Sequence, residues 1–164
     1  MKFVNVILII LIVTIYSLAF VAGGHPIYAD PAETEIEETE SETEQPYSDS
    51  DFYELSHLIQ AEAGYCEWDM MIGVGSVVLN RVASDKFPNT VYDVIHQDNP
   101  LQYATVYWLD SQVPTEQALE VTDYLLRNGS EYPADVLYQG NVLQGTGIYK
   151  TLSTSYSTMY FCYG

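Results

Sequence analysis

Residues Glu67 to Val82 read Glu-Trp-Asp-Met-Met-Ile-Gly-Val-Gly-Ser-Val-Val-Leu-Asn-Arg-Val, apolar around most of a helix's circumference. A helix without a polar face has to be wrapped by other elements, so the fold is built around this segment. Gly73, Gly75 and Ser76 cost helix propensity in its middle. Their presence predicts that another backbone approaches closely there. Asn80 and Arg81 interrupt the buried run, and two readings of them stand open: ties to a neighbouring loop, or contacts to a substrate.

Upstream, Leu55, Leu58 and Ile59 stand at i, i+3 and i+4, and Glu62 falls next on the same helical stripe. Asp51-Phe52-Tyr53-Glu54 predicts a capping box at the start of this helix, and Gly64 a left-handed stop, which leaves Glu62 in the last turn. Desolvation by aliphatic neighbours disfavours the charged carboxylate, and the negative end of the helix dipole does so again. Both raise its pKa. A carboxylic acid that keeps its proton near neutral pH is suited to protonating a glycosidic oxygen. The other reading is a glutamate that snorkels to water at a helix end, because perturbed carboxylates also occur in structural networks.

The rest of the domain is legible in outline. Asn89-Thr90 caps a short helix with Val91, Val94 and Ile95 on one side. Gln97 to Tyr103 reads as loop, and the chain to about Ser111 as irregular. Pro114-Thr115-Glu116 opens a helix carrying Ala118, Val121 and Leu125, which Gly129 closes. Beyond Pro133, Val136-Leu137-Tyr138, Gly147 to Lys150 and Met159 to Tyr163 are β-branched and aromatic runs between Gly, Ser and Thr, the pattern of strands. The predicted class is α+β, mainly helical with a small C-terminal β portion.

Two further segments precede this domain. Phe3 to Ala22 is one nearly unbroken apolar run behind Lys2, so the chain is addressed to a membrane, and residues 1–24 read as a signal peptide or a retained anchor. The protein is expected outside the cell or on its wall. Residues 25–51 read as an acidic linker: Asp30 to Asp51 holds ten of the chain's 23 acidic residues and no Lys or Arg, a composition that keeps a chain extended. Residues 52–164 then carry 13 acidic against four basic residues. That balance excludes a nucleic-acid partner, which needs a basic footprint.

No Gly-rich phosphate loop, CxxC pair or HExxH helix is present, and His25, His57 and His96 are far apart in sequence. No metal and no cofactor is expected. Cys66 and Cys162, the two cysteines of an exported chain, predict a disulfide. A Cys66–His96 thiol–imidazole pair is the alternative.

Several ordered strings resemble the SleB/CwlJ-type cell wall hydrolases, which include spore cortex-lytic enzymes. They are Leu58-Ile59-Gln60-Ala61-Glu62-Ala63, Val77 to Val82, Phe87-Pro88-Asn89-Thr90-Val91 with Val94-Ile95, Gln102-Tyr103, and Tyr160-Phe161-Cys162-Tyr163. The resemblance spans residues 52–164. It implies a lysozyme-like fold that cleaves the β-1,4 bond between N-acetylmuramic acid and N-acetylglucosamine in peptidoglycan, with the family's catalytic glutamate at Glu62. Gln102, Tyr103, Asn80 and Tyr160 are expected to contact substrate, with glycan strands as the partner of a monomeric enzyme. Related lytic transglycosylases use one glutamate and the muramic acid's own 6-hydroxyl, leaving a 1,6-anhydro end, so that an intramolecular nucleophile replaces the second carboxylate or oriented water. Two positions depart from the family: Cys66 stands where a second glutamate is common, and Leu101 where a glycine precedes Gln102. A hydrolytic muramidase and a wall-binding module without turnover remain the alternatives.

Overall fold

A computed structural model describes residues 45–164; the apolar run and most of the acidic tract lie outside them. Helix α1 (Asp49–Ala63) is followed by α2 (Trp68–Val82), the short α3 (Val91–Ile95), a 3₁₀ helix (Ala104–Ser111), α4 (Glu116–Asn128) and strands β1 (Val136–Gly140), β2 (Gly147–Ser153) and β3 (Thr158–Tyr163). The class is α+β and mainly helical, as the sequence predicts.

Helix α2 is central: α1, α3, α4 and β1 all pack on it. Its small residues mark the approaches. A Cβ placed on Gly73 would sit 2.4 Å from the Phe161 ring, and one on Gly75 would sit 2.4 Å from Leu125 Cδ1. Ser76 Oγ accepts the Glu131 backbone N–H at 3.1 Å. Asn80 Nδ2 donates to the carbonyls of Pro133 and Val136 at 2.8 and 3.1 Å, and Arg81 Nε donates to the Leu137 carbonyl at 2.8 Å. The two polar residues of the run therefore fasten β1 to α2. Asn80 is buried, with its amide nitrogen engaged on backbone, which corrects its expected role as a substrate contact.

The sheet is antiparallel with order β1-β3-β2. Side chains alternate across a strand. Met159, Phe161 and Tyr163 pack on the helical core, so Tyr160 and Cys162 project from the opposite face. The expected disulfide is not present, both thiols being free: Cys66 leans on the helical core from the turn after α1, whereas Cys162 is on the other face of the sheet. Alternation along β3 sets that facing, and a count of cysteines does not reveal which face a strand residue takes.

The helix caps needed finer reading. Helix α1 starts earlier than the Asp51 capping box: Ser48 is the N-cap, its Oγ accepting Asp51 N–H at 3.1 Å and donating to Asp51 Oδ2 at 2.7 Å. Tyr47, one residue earlier, hydrogen-bonds Asp123 and lies under the Arg127 guanidinium. Gly64 is right-handed (φ −61°, ψ −14°), not left-handed. Glycine is required there because Gln60 folds back over it: a Cβ would lie 2.0 Å from Gln60 Nε2, and Gln60 Oε1 holds the Thr115 N–H at 2.8 Å. Gly129, by contrast, closes α4 at φ 86° as predicted. The stretch read as irregular forms the 3₁₀ helix, kinked at Trp108.

A boundary at residue 52 thus cuts through the first turn of α1. A chain begun at Tyr47 should melt higher than one begun at Phe52, since the latter loses an N-cap contributing about 1 kcal/mol and the Tyr47 contacts to α4. Thermal unfolding of the two would show it; equal melting temperatures would mean that the Ser48 and Tyr47 contacts contribute nothing.

Candidate active site

Glu62 stands one residue before the end of α1, at the point where aliphatic packing gives way to the exposed turn at Tyr65. Leu58 and Ile59, one turn earlier, are fully buried and supply the apolar surroundings. Burial pushes the carboxyl above its ordinary value, and the Thr105 hydroxyl, donating to Oε1 at 2.7 Å, partly opposes that shift by stabilising the ionised form. Those are the two influences on its titration; no second carboxylate among the described residues is one of them.

Thr105 comes from the 3₁₀ helix, which also presents the exposed rings of Tyr107 and Trp108. The sequence reading missed Thr105. It lies 43 residues from Glu62, in a stretch without periodicity, and a lone threonine carries no pattern that could announce it.

Behind Glu62, Tyr103 is buried, with its hydroxyl unpartnered. Burial raises its pKa; the Arg81 cation opposes that shift and the Glu62 charge adds to it, so the phenol lies within the field of both. The Arg81 guanidinium sits 5.2 Å from the centre of the Tyr103 ring, 4.9 Å from Phe87 and 6.0 Å from Tyr138. Among the described residues no carboxylate pairs with it. Aromatic faces hold this buried cation.

Of the other sequence-predicted residues, Gln102 is half-buried beside Tyr103, its amide donating to the Pro100 carbonyl at 3.2 Å. Tyr160 is half-buried on the sheet face turned away from the helices. The structure therefore brings Glu62, Tyr103 and Thr105 together, with Gln102 next in the chain, and leaves Asn80 and Tyr160 in other surroundings. The Cys66–His96 alternative also fails. His96 Nε2 is bound to Glu54 Oε2 at 2.9 Å, while burial first and then Glu67 push the Cys66 thiol up, away from the reactive thiolate. Among the described residues no cluster of three or more His, Cys, Asp or Glu is placed to hold a metal ion.

A half-buried acid on a helical scaffold, held by one hydroxyl, is an arrangement suited to proton transfer. The Cell Wall Hydrolase family model matches residues 68–143, a likeness that supports a peptidoglycan-cleaving enzyme. Its SleB/CwlJ-type resemblance extends to solved structures. The catalytic domain of the germination-specific lytic transglycosylase SleB from Bacillus anthracis is 25% identical with a TM-score of 0.54, covering 71% of this chain and 96% of that one. The catalytic domain of the Bacillus cereus SleB protein is 23% identical with a TM-score of 0.53, covering 71% and 91%; it shares the fold. No curated protein sequence matches.

Proposed function

We propose that the chain cleaves the β-1,4 bond between N-acetylmuramic acid and N-acetylglucosamine as a lytic transglycosylase, with Glu62 as its single acid and base. The observation that carries this is a carboxyl whose pKa is raised by burial and which is steadied by the neutral Thr105 hydroxyl. Protonated Glu62 gives its proton to the glycosidic oxygen as the bond to the muramic acid C1 breaks. The resulting carboxylate takes the proton of the same sugar's 6-hydroxyl, whose oxygen bonds to C1. Glu62 ends protonated, no water is consumed, and a 1,6-anhydro sugar results. The likeness to a structure described as a lytic transglycosylase supports the reading. Gln102, half-buried and next to Tyr103 in the chain, is a side chain open enough to touch a glycan, whereas Tyr103 serves as a buried wall. The apolar N-terminal run supports export or anchoring at the membrane, which puts the enzyme on the side where its substrate lies.

Mass spectrometry of fragments released from purified walls tests the reaction: anhydro ends are expected, and reducing ends in their place would identify a hydrolytic muramidase.

Thr105→Val tests the hydroxyl. Losing a hydrogen bond to a group that becomes charged costs roughly 1.5 kcal/mol, so turnover should fall about tenfold. Because the hydroxyl favours the ionised form, its loss raises the Glu62 pKa further, and the alkaline limb of the rate profile should move to higher pH. Thr105→Ser should restore both. A slower enzyme with an unmoved pH profile would leave Thr105 a merely structural role.

A further inference from the structure

A second aromatic surface lies on the face where the start of α2, the end of α4 and strand β2 meet. It is a groove of about 450 Å³ that shares no lining residue with the Glu62 site, within the range of roughly 300–1,000 Å³ usual for small-ligand sites. One wall is Trp68 with Tyr124, ring centres 6.4 Å apart. The other is Tyr149 packed edge-on against Tyr132 at 4.9 Å. Trp68, Tyr124 and Tyr149 are each more than a third exposed, while Tyr132 is buried and wedged over α2, its hydroxyl 2.7 Å from where a Gly73 Cβ would lie. The exposed rings are thus held on a rigid backing, so little ordering opposes a ligand that stacks on them.

The polar groups narrow the ligand. Lys150 Nζ pairs with Asp69 Oδ2 at 3.1 Å and lies 5.7 Å from the centre of the Tyr132 ring, so the protein's own cation already occupies the place an ammonium ligand would take. Glu131, which accepts the Tyr124 hydroxyl, and Asp69 remain as acceptors at the rim. Flat rings to cover an apolar C–H face, with carboxylates beside them to receive hydroxyl or amide hydrogens, fit a pyranose.

We infer that this groove is an accessory glycan-binding site, holding an N-acetylhexosamine stretch of the polymer away from the bond being cut. The choice of glycan rests on the function proposed above, and a second grip would slow release from an insoluble substrate without joining the chemistry.

The whole chain carries two tryptophans, Trp68 and Trp108, so Trp108→Phe leaves Trp68 as the only indole, and Glu62→Gln added to it prevents turnover. Titrating this doubly substituted chain with N-acetylglucosamine tetrasaccharide should change Trp68 fluorescence saturably. Adding Tyr149→Ala should weaken that binding about tenfold, equivalent to ~1.4 kcal/mol, with thermal melting confirming that the variant is folded. No Trp68 response, or an affinity that Tyr149→Ala leaves alone, would overturn the inference. So would a response to tetramethylammonium in place of the sugar, which would mark a cation cage. Wall cleavage by the unaltered chain is measured separately. Cleavage without a Trp68 response sinks the groove alone, and a Trp68 response without cleavage sinks the proposed reaction while leaving a glycan-binding surface.

Discussion

Glu62→Gln should abolish wall cleavage, with a fall of at least about a hundredfold, the low end of what a positioned acid or base contributes. The amide keeps the shape of the side chain and still accepts the Thr105 hydroxyl that now binds Oε1, but has no proton to give. Its effect on stability has the opposite sign and a defined pH window. Burial raises the folded pKa above the ordinary 4.5, so above the unfolded value the native state holds more protons than the unfolded chain and stability falls as pH rises. The variant has no such loss. It should melt higher than the parent at pH 7, and the advantage should vanish below about pH 4, where both states of the parent are protonated. Release of soluble muropeptides and melting curves at the two pH values check both halves. Activity above a tenth of the parent's would remove Glu62 as the acid.

Phe161→Ala should be the most damaging single truncation in the sheet. The ring is fully buried, fills the notch left by Gly73 on α2 and meets Tyr132 edge-on at 5.2 Å. Phe→Ala in a core costs about 3–5 kcal/mol, a large share of the roughly 5–15 kcal/mol that holds a typical domain folded. Chemical denaturation should register a loss of that order, and the sheet should detach from α2 before the helices melt. Tyr160→Ala, one residue away on the opposite face, should cost much less. Equal effects would mean that the alternation of β3 is misassigned.

Local rules reached a good deal of this protein. The apolar circumference of Trp68–Val82 forces a central helix. The Thr90 and Thr115 caps and the positive φ of Gly129 follow from side-chain and backbone preferences that act over a few residues. The stripe Leu55, Leu58, Ile59 already aims Glu62 toward apolar neighbours, so the raised pKa of this carboxyl was legible from one helix.

What the acid touches was not. Thr105 reaches Glu62 only because the 3₁₀ helix packs on α1, and nothing in the linear spacing of those segments encodes that approach. Asn80 and Arg81 read equally well as ties or contacts until β1 supplied the carbonyls that take their hydrogens. Gly64 looked like a left-handed stop, whereas the Gln60 side chain lying over it excludes a Cβ there. The cysteines invited a bridge, but both thiols are free, and the alternation along β3 puts Phe161 rather than Cys162 on the helical core. Except at Gly64, the deciding partner lies far along the chain. The sequence by itself determined the α-helices, the strand regions and which carboxyl is unusual, because periodicity and capping are local; only tertiary packing decided which side chains meet, because that depends on the relative placement of elements that no local preference specifies.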